Sequence, residues 1–336
     1  MSKIGIVKEE KKNEYRISLI PEDISFIINY NKIKKNNIIV YYQKGAGEGA
    51  GYNDEEYLEK GCILCETIEE VYNKSDIIIK VKEPQESEYN LIRDDHTIMA
   101  FFHFAGNKKL EELMNKKKTK CIIYETIKDE NNNYPILAPM SIIAGERGIM
   151  EADRYLNTEI EIRNKEEDII TIIGVGNVGK SSTRTAIKLG YKKINLIDKD
   201  YNKIKEFRDL INNEYNKELE ISINEMNDNN LKELLKKSII TISSIYTKGE
   251  KADKLIDINL ISSMIPKSII IDIAIDQGGT TELSIPTTIE NPYIKYKDIC
   301  IYCVPNIPST VPRYASEKLS NAIVNYYYNN ITPLDI

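Results

Sequence analysis

Three glycines, Gly174, Gly176 and Gly179, stand at the spacing G-x-G-x-x-G within DIITIIGVGNVGKSSTRTAIKLGYKKINLID, residues 168–198. Each has a distinct use in holding a pyrophosphate: the first permits a tight turn, the second lets the phosphates approach the backbone, and the third lets a helix pack on the preceding strand. Asn177 and Val178 lie between the last two glycines and open a helix whose N-terminal amides point at the phosphates. Asp198 follows about twenty residues later, where a carboxylate accepts both ribose hydroxyls of NAD and repels a 2′-phosphate. Glycines also collect in turns for backbone reasons alone, so an ordinary βαβ turn without ligand is the competing explanation. The agreement of strand, turn, helix, second strand and terminal acid favours the dinucleotide site. Gly45, Gly47, Gly49 and Gly51 alternate without the required final gap and read as a loop.

Other side chains also have chemistry to offer. In IIIKVKEP, Lys80 and Lys82 leave an apolar strand, and Lys82 precedes Pro84 at the carboxyl end, where ligands bind in open α/β sheets. His103 follows the apolar strand in IMAFFHFAG at the corresponding edge; histidine exchanges protons near neutral pH, and a satisfied histidine at the rim of the core is the plain alternative. The only other histidine, His96, lies in the charged turn RDDH and is expected at the surface. Arg16 sits in the charged loop KEEKKNEYR: such a residue is most often solvated, and its functional alternative is a bidentate clamp on a carboxylate. Asp276 stands before Gly278 and Gly279 beyond another apolar strand, either facing a nicotinamide or simply forming a turn.

The elements that must position these groups alternate between strand and helix. Short apolar runs at 4–7, 37–42, 62–65, 76–82, 97–102 and 120–124 read as strands, with a helix from about Pro21 and others near 55–60, 67–73 and 107–117. Residues 135–156 read as an entry turn and a helix leading to the fingerprint. Beyond Asp198 come helices near 200–212 and 227–236, strands at 218–223 and in SIITISS, the strand of SIIIDIAIDQGGTTE, and a last strand, proline-punctuated loop and long amphipathic helix. Near-continuous apolar strands are those of parallel sheets covered on both faces. The expected fold is therefore α/β, with two Rossmann-like, doubly wound parallel-sheet domains and a cleft between them.

The chain has 336 residues, enough for about two domains, and a net charge of −6 from 46 basic and 52 acidic residues, with no basic stripe to suggest nucleic acid. No apolar run reaches the ~20 residues needed to span a bilayer, and the first residues lack the apolar core of a signal peptide, so a cytoplasmic location without membrane partners is expected. Cys62 and Cys65, like Cys300 and Cys303, form C-x-x-C, but the pairs are too far apart for a zinc ribbon and read as small buried hydrophobes. No metal site is expected.

Taken in order, KEEKKNEYRISLIPEDI, KGAGEGAGYNDEEY, KVKEP, FFHFAG, YETI, LAPMSIIAGE, GVGNVG with Asp198, DIAIDQGGTTELSIPTT and YCVPNIPSTVPRYAS resemble the alanine dehydrogenase family, which is related to the α-subunit of nicotinamide nucleotide transhydrogenase. The resemblance is collinear over nearly the whole chain. It implies an NAD-dependent oxidation of L-alanine to pyruvate and ammonium, with Arg16 and Lys82 binding the substrate carboxylate and carbonyl oxygen, His103 and Asp276 as catalytic groups, and Ser141 and Asn306 lining the nicotinamide. It also implies a discontinuous substrate domain, 1–136 plus 310–336, around a nucleotide domain, 137–309, and a homo-oligomer. Competing readings are another amino-acid or imine oxidoreductase of the same superfamily, similar to an N-carboxyalkyl amino acid synthase, and a catalytically silent NAD(H)-binding protein.

This sequence departs from the family pattern in three places. The charged NTEIEIRNKEED replaces the glycine-rich segment before the fingerprint, the chain ends soon after NYYYNN, and SSIYTKGE replaces small apolar residues on the adenine side. The first two bear on the family's usual hexameric assembly, the third on cofactor affinity.

Overall fold

A computed structural model of the chain describes residues 2–33, 37–215, 218–245 and 251–330. Residues 246–250 of SSIYTKGE and the tail 331–336 lie outside the described residues. The chain divides into two compact units, Met1–Met140 with Pro308–Ile336, and Ser141–Ile307.

The first unit is built on six parallel strands: β1 (Ser2–Ile6), β2 (Ile38–Gln43), β3 (Ile63–Cys65), β4 (Ile77–Lys82), β5 (Thr97–Phe101) and β6 (Lys120–Ile123), in the order β3-β2-β1-β4-β5-β6. All residues of β4 and β5 are buried, Lys80 and Lys82 of β4 included. Between the strands, short helices start where the sequence supplies an acceptor for their free amides: Asn53 forms a capping box with Glu56, and Thr67 and Asn107 cap the next two helices. The last helix, Pro312–Asn330, returns to this unit; its Ser316 and Ser320 hydroxyls accept the backbone N–H groups of Ile17 and Ile20 at 2.9 and 3.0 Å.

In the second unit seven strands follow in chain order: β7 (Ile169–Ile173), β8 (Lys193–Asp198), β9 (Glu220–Glu225), β10 (Ile240–Ser243), β11 (Ile269–Asp272), β12 (Tyr293–Tyr296) and β13 (Ile299–Tyr302). They lie in the order β12-β13-β11-β10-β7-β8-β9. Ile269 and Ile271 of β11 belong to one apolar cluster and Ile270 to another, so the sheet is covered on both faces. Two elements differ from expectation: the short helix Ile258–Ser262, and β12, an antiparallel edge strand joined to β13 by a two-residue turn with Lys297 at φ 51°. Lys297-Asp298 lacks the glycine by which such hairpins are usually read.

In both sheets the strand order reverses once, between β1 and β4 and between β7 and β10. Ligands of doubly wound folds gather beyond the carboxyl ends of the strands at such a reversal. The loop carrying Arg16 follows β1, Lys82 ends β4, and the glycine fingerprint follows β7.

Candidate active site

The second unit carries the glycine turn as its spacing implies. Gly174 takes φ 87° as β7 turns, and Gly176 precedes the helix Asn177–Lys188. A Cβ on Gly179 would sit 2.0 Å from the Gly174 carbonyl oxygen, so only glycine lets this helix lie against the turn. A Cβ on Gly176 would meet nothing within 4 Å, leaving its backbone approachable. Asn177 is exposed and Val178 half-buried at the helix start.

Asp198 ends β8 and ties the two strands together. Its Oδ2 accepts the Val175 N–H at 2.6 Å and lies 3.2 Å from Lys203 Nζ, while Oδ1 accepts the Asp200 N–H at 3.2 Å. Burial works to raise its carboxyl, but the two backbone donors and the Lys203 charge outweigh it and hold the group below the usual carboxylate range. An open glycine backbone, a helix N-terminus and a fixed carboxylate together fit a dinucleotide.

Ser141, half-buried, lies in helix Leu137–Glu159, which packs tightly on the fingerprint helix. The Gly145 carbonyl accepts the Ser182 hydroxyl at 3.0 Å, and a Cβ on Gly145 would come within 2.3 Å of Val178 O. Asp276 is exposed in the 3₁₀ turn Ile273–Gln277 beyond β11, and Asn306, at φ 54°, follows β13. The turn is anchored by a residue the sequence did not single out. Buried Asp272 accepts the Thr280 N–H at 2.7 Å and the Ser284 hydroxyl at 2.5 Å through Oδ2.

In the first unit Lys82 ends β4, His103 lies two residues past β5, and Arg16 lies in the loop that follows β1. Arg16 is 2% exposed, contrary to the solvated arginine usual in a charged loop. It forms a bidentate clamp, on Glu14 of its own loop: Nε to Oε1 at 2.7 Å and Nη2 to Oε2 at 2.5 Å, with Nη1 3.1 Å from the Met140 sulfur. Lys82 is buried at the end of β4, and its backbone N–H donates to Glu9 Oε2 at 3.2 Å. Lys80 is fully buried; its ammonium lies 3.0 Å from Glu88 and 3.5 Å from Glu9 as an ion pair without hydrogen-bond alignment.

His103 is on the exposed side of the rim, its side chain 44% accessible, with a left-handed backbone at φ 51°. For a non-glycine residue that conformation is uncommon and concentrates at functional sites. Glu125, also missed in the sequence although YETI contains it, accounts for the placement. One oxygen accepts the His103 N–H at 2.6 Å and lies 3.3 Å from Nδ1, while the other accepts the Phe102 N–H at 3.3 Å. Burial pushes the Glu125 carboxyl up, but its bonds to His103 prevail and hold it low. With Nδ1–H donating to that carboxylate, Nε2 is the nitrogen left to exchange a proton.

The other histidine overturns its expectation. His96 is 1% exposed: Nδ1 accepts the Arg93 N–H at 3.0 Å and Nε2 lies 3.1 Å from the Tyr72 carbonyl oxygen. Asp94 and Asp95 are exposed while the ring folds back over the helix end beside Arg93, whose guanidinium donates to the Tyr72 and Ser75 carbonyls at 2.6 and 3.0 Å. Burial, helped by Arg93, lowers its pKa and keeps it neutral. All five cysteines are free, and burial pushes Cys62 and Cys303 up to about 12 and Cys121 and Cys300 up to about 11, leaving inert thiols. Among the described residues no cluster of His, Cys, Asp or Glu is arranged to hold a metal ion, and no helix is long and apolar enough to cross a membrane.

Compared with known proteins, residues 5–144 match the family description "Alanine dehydrogenase/PNT, N-terminal domain" and residues 161–332 match "Alanine dehydrogenase/PNT, C-terminal domain". The chain belongs to the alanine dehydrogenase/PNT family. An alanine dehydrogenase of Mycolicibacterium smegmatis is 30% identical over 335 residues, and one of Methanococcus maripaludis 31% over 333, each alignment spanning 96% of this chain and 86% of the relative. The solved structure of an L-alanine dehydrogenase superposes with TM-score 0.86 at 26% identity, covering 98% of this chain and 90% of that one. Family and fold together imply an oxidoreductase with a nicotinamide dinucleotide cofactor and small-molecule substrates.

The charged segment 157–168 has its own anchorage. Arg163, with a side chain 5% exposed, bonds Asp168 at 2.7 Å and the Tyr191 hydroxyl at 2.6 Å, and Lys165 lies 2.8 Å from Asp153.

Proposed function

We propose that the protein is an NAD-dependent L-alanine dehydrogenase, converting L-alanine, NAD⁺ and water reversibly to pyruvate, ammonium, NADH and a proton. The observation that carries this reading is the His103–Glu125 couple beyond β5, the strand that pairs with the Lys82 end of β4, in a chain of this family. The unit Met1–Met140 with Pro308–Ile336 serves as the substrate domain and Ser141–Ile307 as the nucleotide domain.

Gly174, Gly176, Asn177, Val178 and Gly179 would hold the pyrophosphate and Asp198 the ribose, whose 2′-phosphate in NADP it would repel; Ser141 and Asn306 would line the nicotinamide. A nicotinamide held there would supply the hydride exchange with Cα of alanine. Arg16 binds the substrate carboxylate, for which the Met140 thioether at Nη1 is a weak competitor. Lys82 polarises the oxygen that becomes the pyruvate carbonyl. His103 Nε2 takes the proton from the water that attacks the iminium carbon and returns it to the departing ammonia, while Glu125 holds the ring. Asp276 serves as the second proton carrier. The same reading makes the protein a cytoplasmic homo-oligomer.

The test is NADH oxidation with pyruvate and ammonium, run beside NADPH and beside glyoxylate and 2-oxobutyrate. Ammonium-dependent turnover fastest with pyruvate and NADH is expected. Measurable NADH binding without turnover of any oxo acid would move the protein to the silent-binder class.

A further inference from the structure

The bulged end of β4 has an unusual partner. Ile79 pairs with Met99 and Lys82 with Phe101, so three steps along β4 match two along β5. One extra residue is accommodated there, and such bulges re-aim a side chain beside functional sites. On the other flank β1 stops: its last pair with β4 is Ile6 with Ile79. Where the next strand residues would have stood, the carboxylate of Glu9 enters instead. Its Oε1 accepts the Val81 N–H at 2.6 Å, and its Oε2 accepts the Lys82 N–H at 3.2 Å. The side chain is 2% exposed.

We propose that Glu9 is a positioning residue for Lys82: ionised, it closes the bulge by accepting both N–H groups and holds Lys82 where the substrate oxygen needs it; protonated, it releases that end of the strand. The proposal rests on the substrate-binding role given to Lys82 above. A carboxylate accepts two N–H donors because both oxygens carry lone pairs only, whereas a carboxylic acid spends one oxygen as a donor.

The surroundings set when the switch occurs. Lys80 faces Glu9 from β4, Glu88 from the 3₁₀ turn Glu86–Glu88, and Glu14, paired with Arg16, from the same loop. Tyr72 and Tyr124 stand close enough that the Glu9 charge raises both phenols further. Burial, with Glu88 and Glu14 pushing the same way, raises the Glu9 carboxyl to about 7 against the pull of Lys80 and the Val81 N–H. Lys82 is therefore held firmly above neutrality and loosened below it.

Two readings on the full chain test this. In the first, amide hydrogen exchange at Val81 and Lys82, corrected for intrinsic rates, is followed from pH 8 to pH 6. The ionised fraction of a group titrating near 7 falls about tenfold over that span, and protection of these two amides is expected to fall with it in the parent. In Glu9→Gln, protection is low and indifferent to pH. In the second reading, ammonium is raised at each pH until turnover no longer increases, and the KM for pyruvate is followed. It is expected to rise by up to about tenfold as the competent fraction shrinks. Glu9→Gln gives a high, flat KM while kcat keeps its own pH profile, and Glu9→Asp restores the slope.

Parent amides whose protection does not change with pH overturn the proposal, whether or not Glu9→Gln folds. So does a Glu9→Gln protein indistinguishable from the parent in both readings. Loss of amide protection as described, without turnover of any oxo acid, supports the hold of Glu9 on the strand and sinks the dehydrogenase reading instead.

Discussion

One oxygen of the Glu125 carboxylate accepts the backbone N–H of His103 at 2.6 Å and stands 3.3 Å from Nδ1 of the same residue. The acid thus fixes both the left-handed backbone and the ring. If His103 exchanges the reaction protons, His103→Ala lowers kcat by about 10²–10⁴. Glu125→Gln, which keeps the shape but loses the charge, takes a smaller share of that loss in kcat and leaves the KM for pyruvate near the parent value. Steady-state kinetics decide: a Glu125→Gln enzyme of full kcat removes the acid from the mechanism.

The buried Arg16–Glu14 clamp gives a stability prediction. Glu14→Ala removes the carboxylate clamped by a guanidinium that is 2% exposed, and breaking one side of a buried pair costs about 3–5 kcal/mol. Urea unfolding measures this, and a midpoint unchanged from the parent would show that Arg16 does not need its partner.

Gly176 and Gly179 respond differently to the same substitution. Alanine at 176 enters open space at φ −83°, so the fold stays intact while dinucleotide affinity falls. Alanine at 179 drives its methyl into the Gly174 carbonyl at 2.0 Å, a misfit of about 1–3 kcal/mol or more. Thermal melts with and without NADH separate the two effects. Equal loss of melting temperature in both apo variants would contradict the division of labour.

Asp198 is expected to set the choice of cofactor. Asp198→Ser removes the charge that opposes a 2′-phosphate and frees Lys203, now 3.2 Å from that carboxylate, to meet one. The ratio of kcat/KM for NADH over NADPH should fall at least about tenfold, equivalent to ~1.4 kcal/mol. An unchanged ratio would place discrimination elsewhere.

His96 predicts a loss of stability in acid. Burial lowers its folded pKa below the unfolded value of about 6.5, so the unfolded chain takes up the proton first as pH falls. The contribution is intact above that value, declines as pH drops below it, and levels off once the folded form is also protonated. Melting temperature between pH 7.5 and 5 should fall less steeply in His96→Asn, at some cost in the plateau. Parallel curves would rule the residue out as a source of the slope.

Much of the framework was legible because it depends on local pattern. Apolar runs marked strands covered on both faces, and the glycine spacing with Asp198 marked the turn and its second strand. What escaped depends on contacts distant in sequence. His96 follows two exposed acids, Asp94 and Asp95, so composition pointed outward while the ring went in. Glu125 acts on a residue 22 positions earlier, and Glu9 on a strand end 72 and 73 positions later. Nothing in KEEKK distinguishes the glutamate that is buried from the one beside it. The edge strand β12 was hidden by a hairpin turn of lysine and aspartate.

The hydroxyls of Ser316 and Ser320 also set an order of events on the ribosome. Residues 17–23 of the first unit cannot complete their bonding, including that of Asp23 to Ser320, until the final helix has been synthesised. The second unit, contiguous from Ser141 to Ile307, is finished earlier and is free to fold while its neighbour waits. The half of the molecule that emerges first therefore matures last, and throughout that interval the Ile17 and Ile20 amides await their acceptors.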